Sequence, residues 1–103
     1  GLDPLPHPTG PPRLAGLPQG QRLALELAAV IEATAPHAIA YKFNLAYYEA
    51  LGLAGQEALR QALAQVPPGA LRIADAKRGD IGASSTAYAA AAFEALPFDA
   101  ITV

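Results

Sequence analysis

Charged side chains cluster between Asp75 and Asp80, in a chain that is 52% hydrophobic overall. Asp75 and Lys77 follow an apolar run with the composition of a buried strand. Side chains at positions i and i+2 of a strand point to the same face, about 6.6 Å apart. We therefore expect these two side chains to emerge together at the carboxyl end of the strand. An ammonium held there can stabilise a developing negative charge and then protonate it.

Two further charged residues close apolar runs that could be strands. Lys42 interrupts the run 38–43, and Asp3 ends the apolar residues at the start of the chain. Because lysine is rarely buried without a partner, Lys42 either reaches solvent at a strand end or points toward a carboxylate. The spacing alone leaves open a simpler interpretation, in which Asp75 and Lys77 form a surface ion pair worth at most about 1 kcal/mol.

Apolar periodicity predicts strands and helices in alternation. Strands are predicted at 38–43, 70–76 and 98–103, and helices at 18–35, 44–52, 55–65 and 87–96. The core stripe of the first helix is predicted to consist of Leu23, Leu27, Val30 and Ile31. In the third helix, Leu59 and Leu63 are expected to face inward, and Tyr47 and Tyr48 are expected to pack rather than to stack on a ligand.

Turn and cap residues mark the connections between these elements. Residues 4–18 are rich in proline and glycine and predict a long loop, with a Pro-rich ligand segment as the less favoured interpretation. Gly79 is expected to break the strand that carries Asp75. Ser84, Ser85 and Thr86 are candidate caps for the last helix.

This order is typical of a parallel sheet with right-handed crossovers. Polar residues at the carboxyl ends of successive strands, at Asp3, Lys42 and Asp75, favour a (β/α) barrel, in which sites form from the ends of several strands. A doubly wound open sheet is the alternative, although no GxGxxG or Walker loop follows a strand. We expect residues 1–103 to form part of one barrel domain, and strand-like residues at both ends predict a fragment of it.

Composition narrows the classes of partner and cofactor. The net charge of −2 gives no basic surface for nucleic acid. Cysteine is absent, and His7 and His37 both lie beside prolines, so we expect no metal site. No apolar run approaches the ~20 residues that cross a bilayer, and no signal segment opens the chain. We therefore expect a cytoplasmic protein that has no membrane partner.

The string DAKRGDIG, Asp75 to Gly82, resembles the signature of the orotidine 5′-phosphate decarboxylase family, in its bacterial subgroup with Arg and Gly after the lysine. Lys42, and Asp3 in its Leu-Asp-Pro context, match the family in order and approximate spacing. The resemblance implies a (β/α)8 TIM barrel that works as a homodimer, and of which this chain covers roughly the first half, strands 1–4. It also implies decarboxylation of orotidine 5′-monophosphate to UMP, in pyrimidine biosynthesis, without a cofactor.

The resemblance also implies catalytic roles for four residues. Lys77 resembles the proton donor to C6 of the pyrimidine, and Asp75 resembles the carboxylate that faces the carboxylate of the substrate. Lys42 resembles the lysine that pairs with Asp75 and touches the ribose. Asp80 resembles the residue that each subunit supplies to the active site of its neighbour.

Three other residues resemble substrate-binding positions of the family. Asp3 corresponds to an aspartate that holds a ribose hydroxyl, and Ile81 to a residue against the base from across the dimer interface. Ser84 stands where the family usually has threonine and keeps a hydroxyl for the ribose. In (β/α)8 barrels the loops after strands 7 and 8 usually bind phosphate, so the phosphate-binding residues are expected outside this chain.

Two other interpretations remain open at the level of sequence. One is a sibling sugar-phosphate decarboxylase or aldolase barrel, although those usually carry Glu at the position of Asp75 and a metal-binding acid. The other is an inactive half-barrel that only self-associates through open sheet edges and apolar helix faces.

Overall fold

The computed structural model describes residues 1–4 and 14–103. Its sheet has three parallel strands in the order β1–β2–β3. The strands are β1 Ala40–Asn44, β2 Leu71–Asp75 and β3 Ala100–Ile101. The helices are α1 Gln19–Thr34, α2 Leu45–Glu49, α3 Gly52–Gln65 and α4 Gly82–Ala90, and α4 continues as a π-helical segment, Ala91–Ala95. Sequence order equals spatial order, as expected for successive βα units.

One face of the sheet carries the core, and the other carries Lys42 and Asp75. Phe43 of β1 is fully buried on the helix-covered face, where its ring centroid lies 6.1 Å from those of both Tyr48 and Phe98. Leu59 and Leu63 of α3 pack into the same cluster, as predicted. Because side chains alternate along a strand, the neighbours of Phe43 point to the opposite, more open face.

The burial of side chains in α1 and α2 differs in part from the sequence predictions. Val30 was predicted in the core but is 45% exposed, whereas Ala24 is buried. At about 100° per residue, the buried stripe of α1 is centred between Leu27 and Ile31, which leaves Val30 at its edge. Tyr48 is fully buried in the core, as expected for a packing residue, and Tyr47 is half-exposed.

The last helix begins earlier than predicted. It starts at Gly82, where φ is +56°, so Ser84, Ser85 and Thr86 lie inside α4 and do not cap it. Just before the helix, the Asp80 Oδ1 atom accepts a hydrogen bond of 2.7 Å from the Ile81 amide. The N-cap residue of α4 is Ile81, which makes no side-chain cap hydrogen bond, so the prediction of a hydroxyl cap is wrong.

The strand ends also differ from the predictions. β2 leaves the sheet after Asp75, and the left-handed residue is Lys77, with φ of +52°, rather than Gly79. β3 is two residues long because its parallel ladder with β2 contains only two residue pairs. Beside β1, the Leu2 amide donates to the Lys42 carbonyl at 2.8 Å, although residues 1–4 form no assigned strand.

Most of the predicted Pro-rich loop, residues 5–13, lies outside the described residues. Among the described helices, none is long and apolar enough to cross a membrane.

Candidate active site

The charged side chains from the ends of β1 and β2 meet at the carboxylate of Asp75. Its Oδ2 accepts a hydrogen bond from Lys42 Nζ at 3.2 Å, and its Oδ1 accepts one from Lys77 Nζ at 2.6 Å. The parallel register sets Asn44 beside Asp75, so Lys42 lies two residues back along the adjacent strand, on the same face. The structure therefore brings together Lys42, Asp75 and Lys77, which we call the charged array.

The three side chains of the charged array differ in exposure. The Asp75 side chain is 14% exposed, whereas those of Lys42 and Lys77 are 43% and 69% exposed. Hydrogen bonds from Lys77, Thr102 and Lys42 lower the pKa of Asp75 to about 2. The carboxylate is therefore ionised at neutral pH, and it holds two ammonium groups at an open edge of the sheet.

This low pKa predicts a pH dependence of stability. The folded-state pKa of about 2 lies below the ordinary value near 3.8. The array therefore stabilises the fold fully above about pH 4, and that contribution is lost as the pH falls toward 2. Urea unfolding of the chain between pH 5 and pH 2 should show this loss, and Asp75→Asn should flatten the dependence. Glu57 of α3 also has a pKa lowered to about 2 but lies outside the array, so Glu57→Gln is the variant to compare with Asp75→Asn. An unchanged pH slope in Asp75→Asn would contradict the array.

Thr102, just after β3, is a site residue that the sequence reasoning missed. Its Oγ1 donates to Asp75 Oδ1 at 3.0 Å and accepts from the Ala76 and Lys77 amides at 3.0 Å. The signal that could have found it is positional, since Thr102 follows the third strand as Asp75 ends the second. In (β/α)-barrels, polar residues at the carboxyl ends of several strands form one site, so a polar residue just after β3 is a candidate site residue.

Arg78 ties the segment after the array to the helices. Its guanidinium forms an ion pair with Glu49 at the end of α2 and lies 5.9 Å from the ring centroid of Tyr88 in α4. Cation–π contact and charge pairing together favour a fixed path for the chain from β2 to α4. The side chain of Arg78 is therefore held by residues of α2 and α4, whereas those of Lys42 and Lys77 are held by Asp75.

The structure places Asp3 at the same edge, at the end of the segment beside β1. Its Oδ1 accepts a hydrogen bond from the Asn44 amide at 2.9 Å, which fixes the carboxylate at the end of β1, the strand that carries Lys42. The neighbouring Tyr48 hydroxyl donates to the Leu2 carbonyl and anchors this segment to the core. Burial, with the Asp3 charge as a smaller cause, raises the pKa of Tyr48, so the phenol stays protonated and donates.

The remaining predicted site residues stand apart from the charged array. Asp80, Ile81 and Ser84 are exposed, and Ile81 is 86% exposed. No ion pair joins Asp80 to Lys42 or Lys77 within residues 1–4 and 14–103. The same described ranges contain no group of three His, Cys, Asp or Glu side chains arranged to hold a metal ion.

Comparisons with known proteins find close relatives for this chain. An orotidine 5′-phosphate decarboxylase of Herpetosiphon aurantiacus is 55% identical over 75 residues, which are 73% of this chain and 28% of the relative. One of Thermomicrobium roseum is 49% identical over 105 aligned positions, which cover the whole chain and 36% of the relative. No family model matches.

The fold matches a solved structure of the same kind. The OMP decarboxylase of Leishmania donovani superposes with a TM-score of 0.77 and 38% identity over 84% of this chain and 34% of that one. The parallel sheet, its crossover helices and this likeness show a partial (β/α)-barrel with charged residues at the carboxyl ends of its strands, as predicted. This chain is homologous to part of the orotidine 5′-phosphate decarboxylases, at about 50% identity, and it spans about a third of the length of the relatives that it matches.

Proposed function

We propose that this chain supplies the chemical half of an orotidine 5′-monophosphate decarboxylase site. The observation that carries the proposal is the charged array, in which Asp75 holds Lys42 and Lys77 from two adjacent strand ends. Two ammonium groups around one carboxylate leave a net positive charge beside an open surface. An anionic substrate is attracted to such a surface, and negative charge that develops on it is stabilised.

In the proposed reaction, the bond between C6 of the pyrimidine and the carboxylate carbon breaks, and CO₂ leaves. The electron pair of that bond stays on C6, which has no electron sink. Lys77 Nζ stabilises this charge and then donates a proton to C6, so UMP is released and the lysine is reprotonated from solvent. Asp75 faces the departing carboxylate and keeps Lys77 in place. No cofactor takes part in the proposed reaction.

The sugar of the substrate is proposed to lie across the ends of β1 and its neighbouring segment. Lys42 and Asp3 both present polar atoms there and would contact ribose hydroxyl groups. The phosphate contacts are proposed to come from residues outside this sequence, as part of the same barrel domain. Remote binding energy of that kind is needed, because enzymes generally lower barriers by about 8–23 kcal/mol and one charged array cannot provide the upper part.

We also propose that the enzyme works as a homodimer in which Asp80 and Ile81 reach the active site of the partner. Their exposure supports this, as does the absence, within the described residues, of an ion pair between Asp80 and Lys42 or Lys77. Ser84 is an exposed residue of α4 and would contact the ribose. The cytoplasmic location stays a prediction.

The test uses a chimera in which residues 1–103 replace the matching segment of the Thermomicrobium roseum relative. We expect the purified chimera to convert orotidine 5′-monophosphate to UMP and to support growth of a pyrimidine-requiring bacterial strain. The unaltered relative is the positive control. A folded chimera that forms no UMP would contradict the proposed function. A strict requirement for a divalent metal would instead favour the sibling sugar-phosphate barrel, which the names of the relatives do not favour.

A further inference from the structure

The Thr102 hydroxyl uses its full hydrogen-bonding capacity inside the candidate site. A hydroxyl has one proton to donate and two lone pairs that accept. The ionised Asp75 carboxylate can only accept, and the Ala76 and Lys77 amides can only donate, so the direction of all three bonds is determined. Each spans 3.0 Å.

The same oxygen lies where the backbone takes an unusual conformation. Lys77 has φ of +52°, in the left-handed region that residues with a side chain rarely occupy. Two successive amides, those of Ala76 and Lys77, converge on Thr102 Oγ1, in an arrangement that favours an electron-rich acceptor. Without that acceptor, the left-handed turn loses two hydrogen bonds that hold it.

Thr102 is itself fixed by the sheet on both sides of the turn. Its amide donates to the Ala74 carbonyl at 2.9 Å, and its carbonyl accepts from the Arg78 amide at 3.3 Å. The backbone of Thr102 therefore bridges the residue before Asp75 and the residue after Lys77. The hydroxyl is held at a constant position relative to both side chains of the pair.

From this geometry we propose that Thr102 is a positioning residue, whose hydroxyl orients the Asp75 carboxylate and the Lys77 backbone together for proton donation to C6. The inference rests on the proposed function, because it assigns Lys77 the role of proton donor. Thr102 does not contact the substrate in this account. The hydrogen bond from Thr102 is also among the causes of the low pKa of Asp75, second to that from Lys77.

The test compares three threonine variants of the chimera. Thr102→Val removes the hydroxyl and keeps the shape, and we expect kcat to fall about 10-fold or more with KM changed less than about 3-fold, because misdirection of Lys77 affects the chemical step. Thr102→Ser keeps the hydroxyl and should retain kcat within about 3-fold. Thr34→Val is the matched control, since Thr34 also bonds a carbonyl and a hydroxyl, far from the array.

Amide hydrogen exchange provides a readout that does not depend on activity. The Ala76 and Lys77 amides should be protected in the unaltered chimera and in Thr102→Ser, and their exchange should accelerate about 10-fold or more in Thr102→Val. An unaltered chimera in which both amides exchange as freely as an unfolded peptide would overturn the inference, even if Thr102→Val fails to fold.

The kinetic and exchange results together separate the two proposals. If the unaltered chimera forms no UMP, the proposed function fails, and the exchange data still decide whether Thr102 holds the turn. If the chimera is active and Thr102→Val keeps kcat within about 2-fold, the positioning role is wrong while the proposed function stands.

Discussion

Lys77→Ala in the chimera is expected to lower kcat for decarboxylation by about 1,000-fold or more, because it removes both the proton donor and the cation nearest to C6. The fold should persist, since the Lys77 side chain is 69% exposed and Asp75 keeps its hydrogen bonds from Lys42 and Thr102. Steady-state formation of UMP measures the effect, and circular dichroism checks the fold.

Arg60→Ala is the matched control for loss of an exposed cation. Arg60 pairs with Glu57 on the surface of α3, at 2.7 Å, in an ion pair that the proposed reaction does not use. We expect its kcat to stay within about 2-fold of the unaltered chimera, because surface ion pairs contribute little. A Lys77→Ala chimera that retains activity within a few-fold would rule out Lys77 as the proton donor.

Mixing two inactive variants is expected to restore activity, if the site is shared between subunits as proposed. A Lys77→Ala subunit lacks the proton donor but can supply Asp80 to its neighbour. An Asp80→Ala subunit keeps Lys77 and can receive that Asp80. A mixed dimer therefore has one complete site, and random exchange of subunits should give about a quarter of the unaltered activity per subunit.

The control for this mixing experiment uses two variants of the same set. Asp75→Ala and Lys77→Ala both damage the site formed by their own chain, so each mixed dimer has two incomplete sites. This mixture should stay inactive under the same conditions of subunit exchange. Failure of the Lys77→Ala and Asp80→Ala pair to regain activity, with mixed dimers shown by native mass spectrometry, would place Asp80 in its own subunit's site or outside any site.

Periodicity predicted the order of elements and the common position of Asp75 and Lys77, and the family resemblance implied the pairing of Lys42 with Asp75. Alternation along parallel strands forces same-face residues at neighbouring strand ends to lie together. The prediction was wrong for the start of α4, because the helix begins at Gly82, with φ of +56°, and has no side-chain cap, which capping preferences do not reveal.

Thr102 could not be assigned a partner from sequence, because its contacts depend on distant residues. It lies 27 residues from Asp75 along the chain, and only the parallel ladder of β2 and β3 brings their side chains together. The left-handed backbone conformation of Lys77 could not be predicted from sequence either. Residue propensity favours glycine at such a position, and Gly79 is two residues away. Strand periodicity therefore predicts which residues reach this edge of the sheet, whereas contacts between distant residues determine their hydrogen bonds and backbone conformation.

A crystal structure of the chimera with bound UMP would test the central claim most directly. The account predicts that Lys77 Nζ lies within about 3.5 Å of C6, still bonded to Asp75, with Asp80 of the partner subunit beside the same nucleotide. A nucleotide whose C6 lies far from Lys77 Nζ, or one bound at another edge of the sheet, would contradict it.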